Sequence, residues 1–149
     1  MDTCAVHSPA SGRQAVWIVG YDWSQGSEDA LQEAVRQAIA SKDRVVLWLV
    51  SGVDEHHLFE DAQKTHRENL LRADMLRERV SGLYLGDVHT YVREQDPKPL
   101  LLEEIHHLDA TKCFVGKFGH HASLKDKILG TVGDFLKKES PEWCEIVIV

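Results

Sequence analysis

The sequence contains little cysteine and no excess of positive charge. Its cysteines number three, form no Cys-x-x-Cys pair and leave one over: Cys4, Cys113 and Cys144. This usage is typical of reduced thiols, so we expect a cytoplasmic protein. The formal net charge of −7 argues against broad binding to nucleic acid or to an anionic membrane, because both ligands need a basic face.

Long apolar runs are also missing. None approaches the roughly 20 residues that a transmembrane helix requires. Residues 1–14 lack the apolar centre of a secretory signal, and we expect them to form a flexible polar tail. The remainder of the 149-residue chain is 15–149, and it is predicted to be one globular domain.

Clustered metal ligands and catalytic groups are equally scarce. Nine histidines are present, and six of them form adjacent pairs: His56-His57, His106-His107 and His120-His121. Neighbours on a helix point about 100° apart, so such a pair chelates poorly, and no His-x3-His spacing accompanies it. Ser24 and Ser27 have no base beside them in the sequence and are predicted to cap a helix. We therefore expect neither a metal site nor a catalytic residue.

Short apolar runs alternate with amphipathic segments along the whole domain. The runs predict five strands, at 16–21, 44–50, 88–93, 112–116 and 145–149. Helices are predicted from about 27 to 39, 61 to 80, 97 to 108 and 129 to 138. The second helix has an expected apolar stripe of Ala62, Leu70, Ala73, Leu76 and Val80. Nearly continuous apolar strands are typical of an α/β fold, here a single open parallel five-stranded sheet with helices on both faces.

A glycine-bearing loop follows the fourth predicted strand. It contains Gly116 and Gly119, and Gly130-Thr131 lies at the start of the next predicted helix. This arrangement presents backbone N–H groups and the positive end of a helix dipole to one volume, which suits a phosphate. The spacing is not the Walker pattern. Because ligands of such sheets collect where the strand order reverses, we expect Asp22, after the first strand, to join the loop in one site.

Several segments, taken in order, resemble the universal stress protein family. They are 19–24, 92–97, 115–119, 129–132 and 146–149. Family members that bind ATP carry Gly-x2-Gly-x9-Gly-Ser/Thr, and this chain has ten residues between Gly119 and Gly130, one more than that pattern. The resemblance implies a Rossmann-like fold of the adenine nucleotide alpha hydrolase type. It also implies ATP as the ligand and allows a Mg²⁺ ion with it.

The resemblance further implies roles at matching positions. Asp22 would lie on the adenosine side, Val50 and Ser51 would offer backbone groups to the base, and Val115 and Gly116 would line the ribose region. The residues implied to present backbone N–H groups to phosphates are Phe118, Gly119, Gly130, Thr131 and Val132, with the Thr131 hydroxyl as a further donor.

Two functions therefore remain open at the level of sequence. The first is an ATP-binding sensor or switch in a stress response, which could also hydrolyse ATP slowly; a dedicated nucleotide hydrolase or transferase is the least favoured interpretation. The second is a nucleotide-free interaction module, in which the glycines serve tight turns and Asp22 serves a turn or cap. The resemblance implies a homodimer joined through the last strand for either function.

Overall fold

The computed structural model describes residues 13–53, 62–117 and 131–149, with side chains omitted for 62–65. The strands are β1 (Gln14–Gly20), β2 (Arg44–Gly52), β3 (Val88–Arg93), β4 (Lys112–Val115) and β5 (Glu145–Ile148). The helices of these ranges are α1 (Gln25–Ala40), α2 (Ala62–Ser81), α3 (Pro97–Leu108) and α4 (Val132–Glu139).

The strands form one five-stranded sheet in the order β3-β2-β1-β4-β5. Every neighbouring pair is parallel, which confirms the predicted architecture. The chain moves outward from β1 to β3 in one direction and then crosses to β4 on the other side of β1. The carboxyl ends of β1 and β4 therefore flank the point where the strand order reverses, and connections leave the sheet there in opposite directions.

Alternate residues of each strand pack into two separate cores, one on each face of the sheet. Trp17 and Val19 of β1 join a core with α1 and α2, whereas Ile18 joins a core with α3 and α4. This covering on both faces explains why the inner strands β1 and β2 are almost continuously apolar. No helix in the described part of the chain is long and apolar enough to cross a membrane.

Several details differ from the sequence-based expectations. β1 begins at Gln14, two residues before the predicted strand, and β4 ends at Val115, one residue before its predicted end. Leu70 is 51% exposed, so its place in the apolar stripe of α2 was wrong. The buried face of α2 instead contains Asn69, Ala73, Leu76 and Val80, whose spacing of three and four residues follows one side of a helix.

The cysteines of the described ranges are both buried. Cys113 lies in β4, and burial raises the pKa of its thiol well above the usual range. Cys144, immediately before β5, is 6% exposed. Burial raises the pKa of Cys144 to about 11, so both thiols are unreactive near neutral pH.

Candidate functional site: a cleft where the strand order reverses

The turn between β1 and α1 holds Asp22 in a network of short hydrogen bonds. Ser24 is the N-cap of α1, as predicted, and its hydroxyl accepts a bond from the Ser27 N–H at 3.1 Å. The Ser27 hydroxyl in turn accepts from the Asp22 N–H at 3.2 Å, and Asp22 Oδ1 accepts from the Ser24 N–H at 3.0 Å. Asp22 is thus fixed beside the first turn of α1.

Aromatic and charged side chains flank Asp22 on both sides. Tyr21 is buried, and its hydroxyl donates to Glu28 Oε1 at 2.7 Å. Burial, followed by the Glu28 contact, raises the pKa of Tyr21 to about 12. Trp23 meets the Tyr21 ring edge to face at 5.3 Å and packs against the core that contains Trp17. Trp23 therefore has a packing role and does not line the cleft.

Gly116, immediately after β4, allows the start of α1 to approach the sheet. A Cβ at this position would lie 2.5 Å from the carbonyl carbon of Gly26 in the first turn of α1. Only a residue without a side chain permits such contact between two backbones. The sequence assigned this glycine to a phosphate loop, and the structure shows that packing of α1 alone already requires it.

A small cavity opens between these elements at the carboxyl ends of β1 and β4. It is lined by fourteen residues, which come from five parts of the chain: Gly20, Tyr21, Asp22, Ser24, Ser27, Val50, Gly52, Pro97, Leu101, Val115, Gly116, Lys117, Thr131 and Val132. Its volume is about 70 Å³, below the roughly 300–1,000 Å³ of pockets that enclose a whole ligand. The described residues therefore form the floor of a cleft from which a larger ligand would project.

Most of the predicted site residues within the described ranges meet at this cavity. Asp22, Val50, Val115, Gly116, Thr131 and Val132 all line it. Ser51 does not, although its side chain is buried and its hydroxyl has no hydrogen-bond partner among the described residues. The Val50 carbonyl already accepts a bond from the Tyr21 N–H at 3.0 Å. Phe118, Gly119 and Gly130 lie outside the described residues.

The start of α4 is already capped by a carboxylate. Thr131 is the N-cap, and its hydroxyl accepts from the Asp134 N–H at 3.3 Å. Asp134 Oδ2 accepts from the Thr131 N–H at 3.1 Å and lies 3.3 Å from its hydroxyl. In this reciprocal capping box the N–H and the hydroxyl of Thr131, which the resemblance had assigned to a phosphate, are both directed toward Asp134. α4 also begins at Val132, three residues after the predicted start.

Several cavity residues were not predicted from the sequence. Pro97 and Leu101 come from α3, whose first turns reach the cleft because that helix packs on the neighbouring face of the sheet. No local sequence pattern identifies Pro97 or Leu101 as a site residue. Lys117 was detectable, since it lies within the glycine loop, and it lines the same cavity as Asp22. The cleft therefore offers both a negative and a positive group.

No group of three or more potential metal ligands is found among the described residues. His106 and His107 are exposed on α3. His107 lies 3.6 Å from the Glu104 carboxylate, and the ring of His106 meets Trp143 edge to face. The pairs at 56–57 and 120–121 lie outside the described residues.

A sequence model of the universal stress protein family matches residues 17–148. Among solved structures, universal stress protein UspA from Lactobacillus plantarum has a TM-score of 0.66 and 20% identity, over 92% of this chain and 98% of its own. A universal stress protein in complex with cAMP has a TM-score of 0.66 and 18% identity, over 91% and 95% of the two chains. One from Archaeoglobus fulgidus in complex with dAMP has a TM-score of 0.60 and 14% identity, over 91% and 96%. None of the curated protein sequences matches this chain significantly.

Proposed function

Because this chain belongs to the universal stress protein family, we propose that it binds an adenine nucleotide, with ATP as the expected ligand, and acts as a nucleotide-dependent sensor or switch. The proposed site is the cleft at the carboxyl ends of β1 and β4. The observation that carries the proposal is the meeting of Asp22, Gly116, Lys117 and Thr131 around one cavity, although they come from three separate parts of the sequence.

The chemistry of this cleft fits the two ends of a nucleotide. Asp22 supplies a carboxylate that can accept hydrogen bonds from an adenosine, and Val115 with Gly116 forms an uncrowded wall for a ribose. Lys117 supplies a cation for a phosphate. Two similar structures contain cAMP and dAMP, which share an adenine, a sugar and a phosphate. These ligands support an adenine nucleotide more directly than they support a triphosphate.

The remaining phosphate contacts are assigned by the family resemblance. Phe118, Gly119 and Gly130 would present backbone N–H groups, together with Thr131 and Val132 at the start of α4. Val50 and Ser51 would adjoin the base. ATP would bring Mg²⁺ with it. We propose a binding function for this cleft, with at most slow hydrolysis of the nucleotide.

The test is the nucleotide content of freshly purified protein, followed by calorimetric titration with ATP, AMP and GTP. Bound adenine nucleotide in near-stoichiometric amount, or saturable binding of ATP in preference to GTP, supports the proposal. Protein that contains no nucleotide and takes up none on titration would contradict it. AMP is essential in this set because the cavity is small. Binding of AMP reports on the adenosine end of the site, whereas a gain in affinity from AMP to ATP reports on the polyphosphate end.

One observation favours a second candidate function, the nucleotide-free interaction module. The N–H and hydroxyl of Thr131 are both directed toward the Asp134 carboxylate, so an internal anion occupies the position that a phosphate would take. A phosphate would have to displace that carboxylate or bind beside it, against like-charge repulsion. The same titrations decide between the two functions.

We also propose that two copies of the chain pair through β5 for either function. β5 is an edge of the sheet, and its residues Ile146, Val147 and Ile148 are only partly buried. The N–H groups of Glu145 and Val149 donate toward β4, so the N–H groups of Ile146 and Ile148 point to the open side. An apolar edge of this kind is normally covered.

A further inference from the structure

The backbone that carries Asp22 is held in a conformation that it would not adopt by itself. Trp23, the next residue, has a φ of 63°, in the left-handed region. This region is unfavourable for a bulky aromatic residue, and such a conformation persists only where surrounding contacts impose it. The direction of the Asp22 side chain therefore depends on the contacts that fix Trp23 as well as on the hydrogen bond that Asp22 accepts from the Ser24 N–H.

Two arginines of α2 hold the residues on either side of Asp22. The Arg72 guanidinium lies over the Trp23 ring, with its carbon 4.9 Å from the ring centroid. Arg79 donates to Glu28 at 2.7 and 2.9 Å and to the Tyr21 hydroxyl at 3.2 Å. The two arginines are seven positions apart, which is close to two helical turns, so both project from the same side of α2.

Arg72 and Arg79 both contact the short turn that contains Asp22, and neither belongs to that turn. Tyr21 and Trp23 also touch each other, with ring centroids 5.3 Å apart, so the arginines hold a single aromatic pair. Asp22 lies between the two rings in sequence and lines the cleft. A shift of α2 would be transmitted to Asp22 through this pair, because neither arginine belongs to the turn itself.

We propose that Arg72 and Arg79 are positioning residues, which fix the left-handed turn at Trp23 and so aim Asp22 into the cleft. This inference rests on the proposed adenine-nucleotide site for its functional consequence. Through these contacts α2 would control the proposed site. A displacement of α2 would weaken the binding of the adenosine end of the ligand, although α2 itself does not contact the ligand.

The test combines amide hydrogen exchange over 21–28 with titration of AMP, in Arg72→Met and Arg79→Met. Methionine keeps an apolar stem and removes the cation. We expect exchange at least about fivefold faster in each variant, with AMP affinity lowered about threefold for Arg72→Met and about tenfold for Arg79→Met. The matched control is Arg77→Met, an exposed arginine about 160° around the same helix from Arg79, which should behave as the parent.

A conservative variant separates positioning from general stability. Arg72→Lys keeps a cation over Trp23 and should recover most of the exchange protection and affinity that Arg72→Met loses. Exchange and affinity equal to the parent in both methionine variants would overturn the inference, as would faster exchange with unchanged AMP affinity. If the parent binds no adenine nucleotide, the proposed function fails; faster exchange in the methionine variants would then still support the positioning of the turn, and parent-like exchange would overturn it.

Discussion

Gly116 and Gly26 lie against each other, backbone to backbone, where the end of β4 meets the first turn of α1. A Cβ on Gly116 would be 2.5 Å from the Gly26 carbonyl carbon and 2.6 Å from its oxygen. Neither atom belongs to a flexible side chain, so the helix itself would have to move. This contact sets the width of the cleft, because Gly116 and the start of α1 form two of its walls.

Gly116→Ala is expected to destabilise the protein by about 2–4 kcal/mol, since the added methyl group overpacks a backbone contact. Chemical denaturation measures the effect. Gly82→Ala is the matched control, because its nearest contact would be an ordinary 3.4 Å, and it should be neutral or stabilising by about 0.4–1 kcal/mol. Equal stability of Gly116→Ala and the parent would mean that α1 can shift freely.

Asp22→Ala is expected to weaken ATP and AMP by about 1–3 kcal/mol, the scale of a hydrogen bond to a charged group, and to relax the preference for ATP over GTP. Isothermal titration with each nucleotide provides the measurement. Asp29→Ala removes the same group from an exposed position of α1 and should bind as the parent. If Asp22→Ala keeps both affinity and preference, Asp22 serves only the turn.

Asp134→Ala is expected to have opposite effects on stability and on ATP affinity. Loss of the capping carboxylate should cost about 0.5–1 kcal/mol of stability. Removal of a competing anion should raise the ATP affinity roughly threefold to tenfold. Glu139→Ala makes the same charge change at the other end of α4 and should leave the affinity unchanged. An unchanged ATP affinity in Asp134→Ala would place the phosphates elsewhere.

Glu28 predicts an acid-dependent part of the stability. The Arg79 guanidinium, through its hydrogen bonds, is the main cause that lowers the pKa of Glu28 below its ordinary 4.5. A lowered carboxyl pKa stabilises the fold above about pH 4.5, and this contribution is lost as the pH falls through the folded-state value. Glu28→Gln should therefore cost about 1 kcal/mol at pH 7 and progressively less toward pH 3.

Denaturant titrations of the parent and Glu28→Gln across pH 3–7 would measure this convergence. Asp29→Asn, on the exposed side of α1, is the control and should follow the parent. A constant difference between the parent and Glu28→Gln at every pH would show that the amide, and not the loss of charge, causes the destabilisation.

Ile148→Pro is expected to convert a dimer into a monomer. Proline removes the N–H that points to the open side of β5 and leaves the bonds of Glu145 and Val149 to β4 intact. Light scattering at tens of micromolar measures the mass of the parent and of the variant. A monomeric parent, or a dimeric Ile148→Pro, would contradict pairing through this edge.

The predictable part of the fold came from short-range patterns. Continuous apolar runs such as 44–50 predicted strands covered on both faces, and the helix predicted from about 97 to 108 is confirmed as α3, whose N-cap is Asp96. The errors were shifts of one to three residues, at the start of β1, on the buried face of α2 and at the start of α4. Leu70 and Asn69 are neighbours, and the sequence pattern favoured the apolar Leu70 for the buried face of α2. In the structure Asn69 is buried instead, because it lies four residues before Ala73 on the same side of the helix.

The sequence by itself determined the strand and helix order, the family resemblance and the end of the sheet where Asp22 and Gly116 meet, because each depends on local patterns and on the parallel topology that they imply. Only the tertiary structure decided that Gly116 is required by Gly26, that Arg72 and Arg79 hold the turn around Asp22, and that Asp134 caps Thr131. The first two depend on contacts between distant segments. The third depends on the side-chain rotamers of Thr131 and Asp134, although the two residues have the three-residue spacing of a capping box.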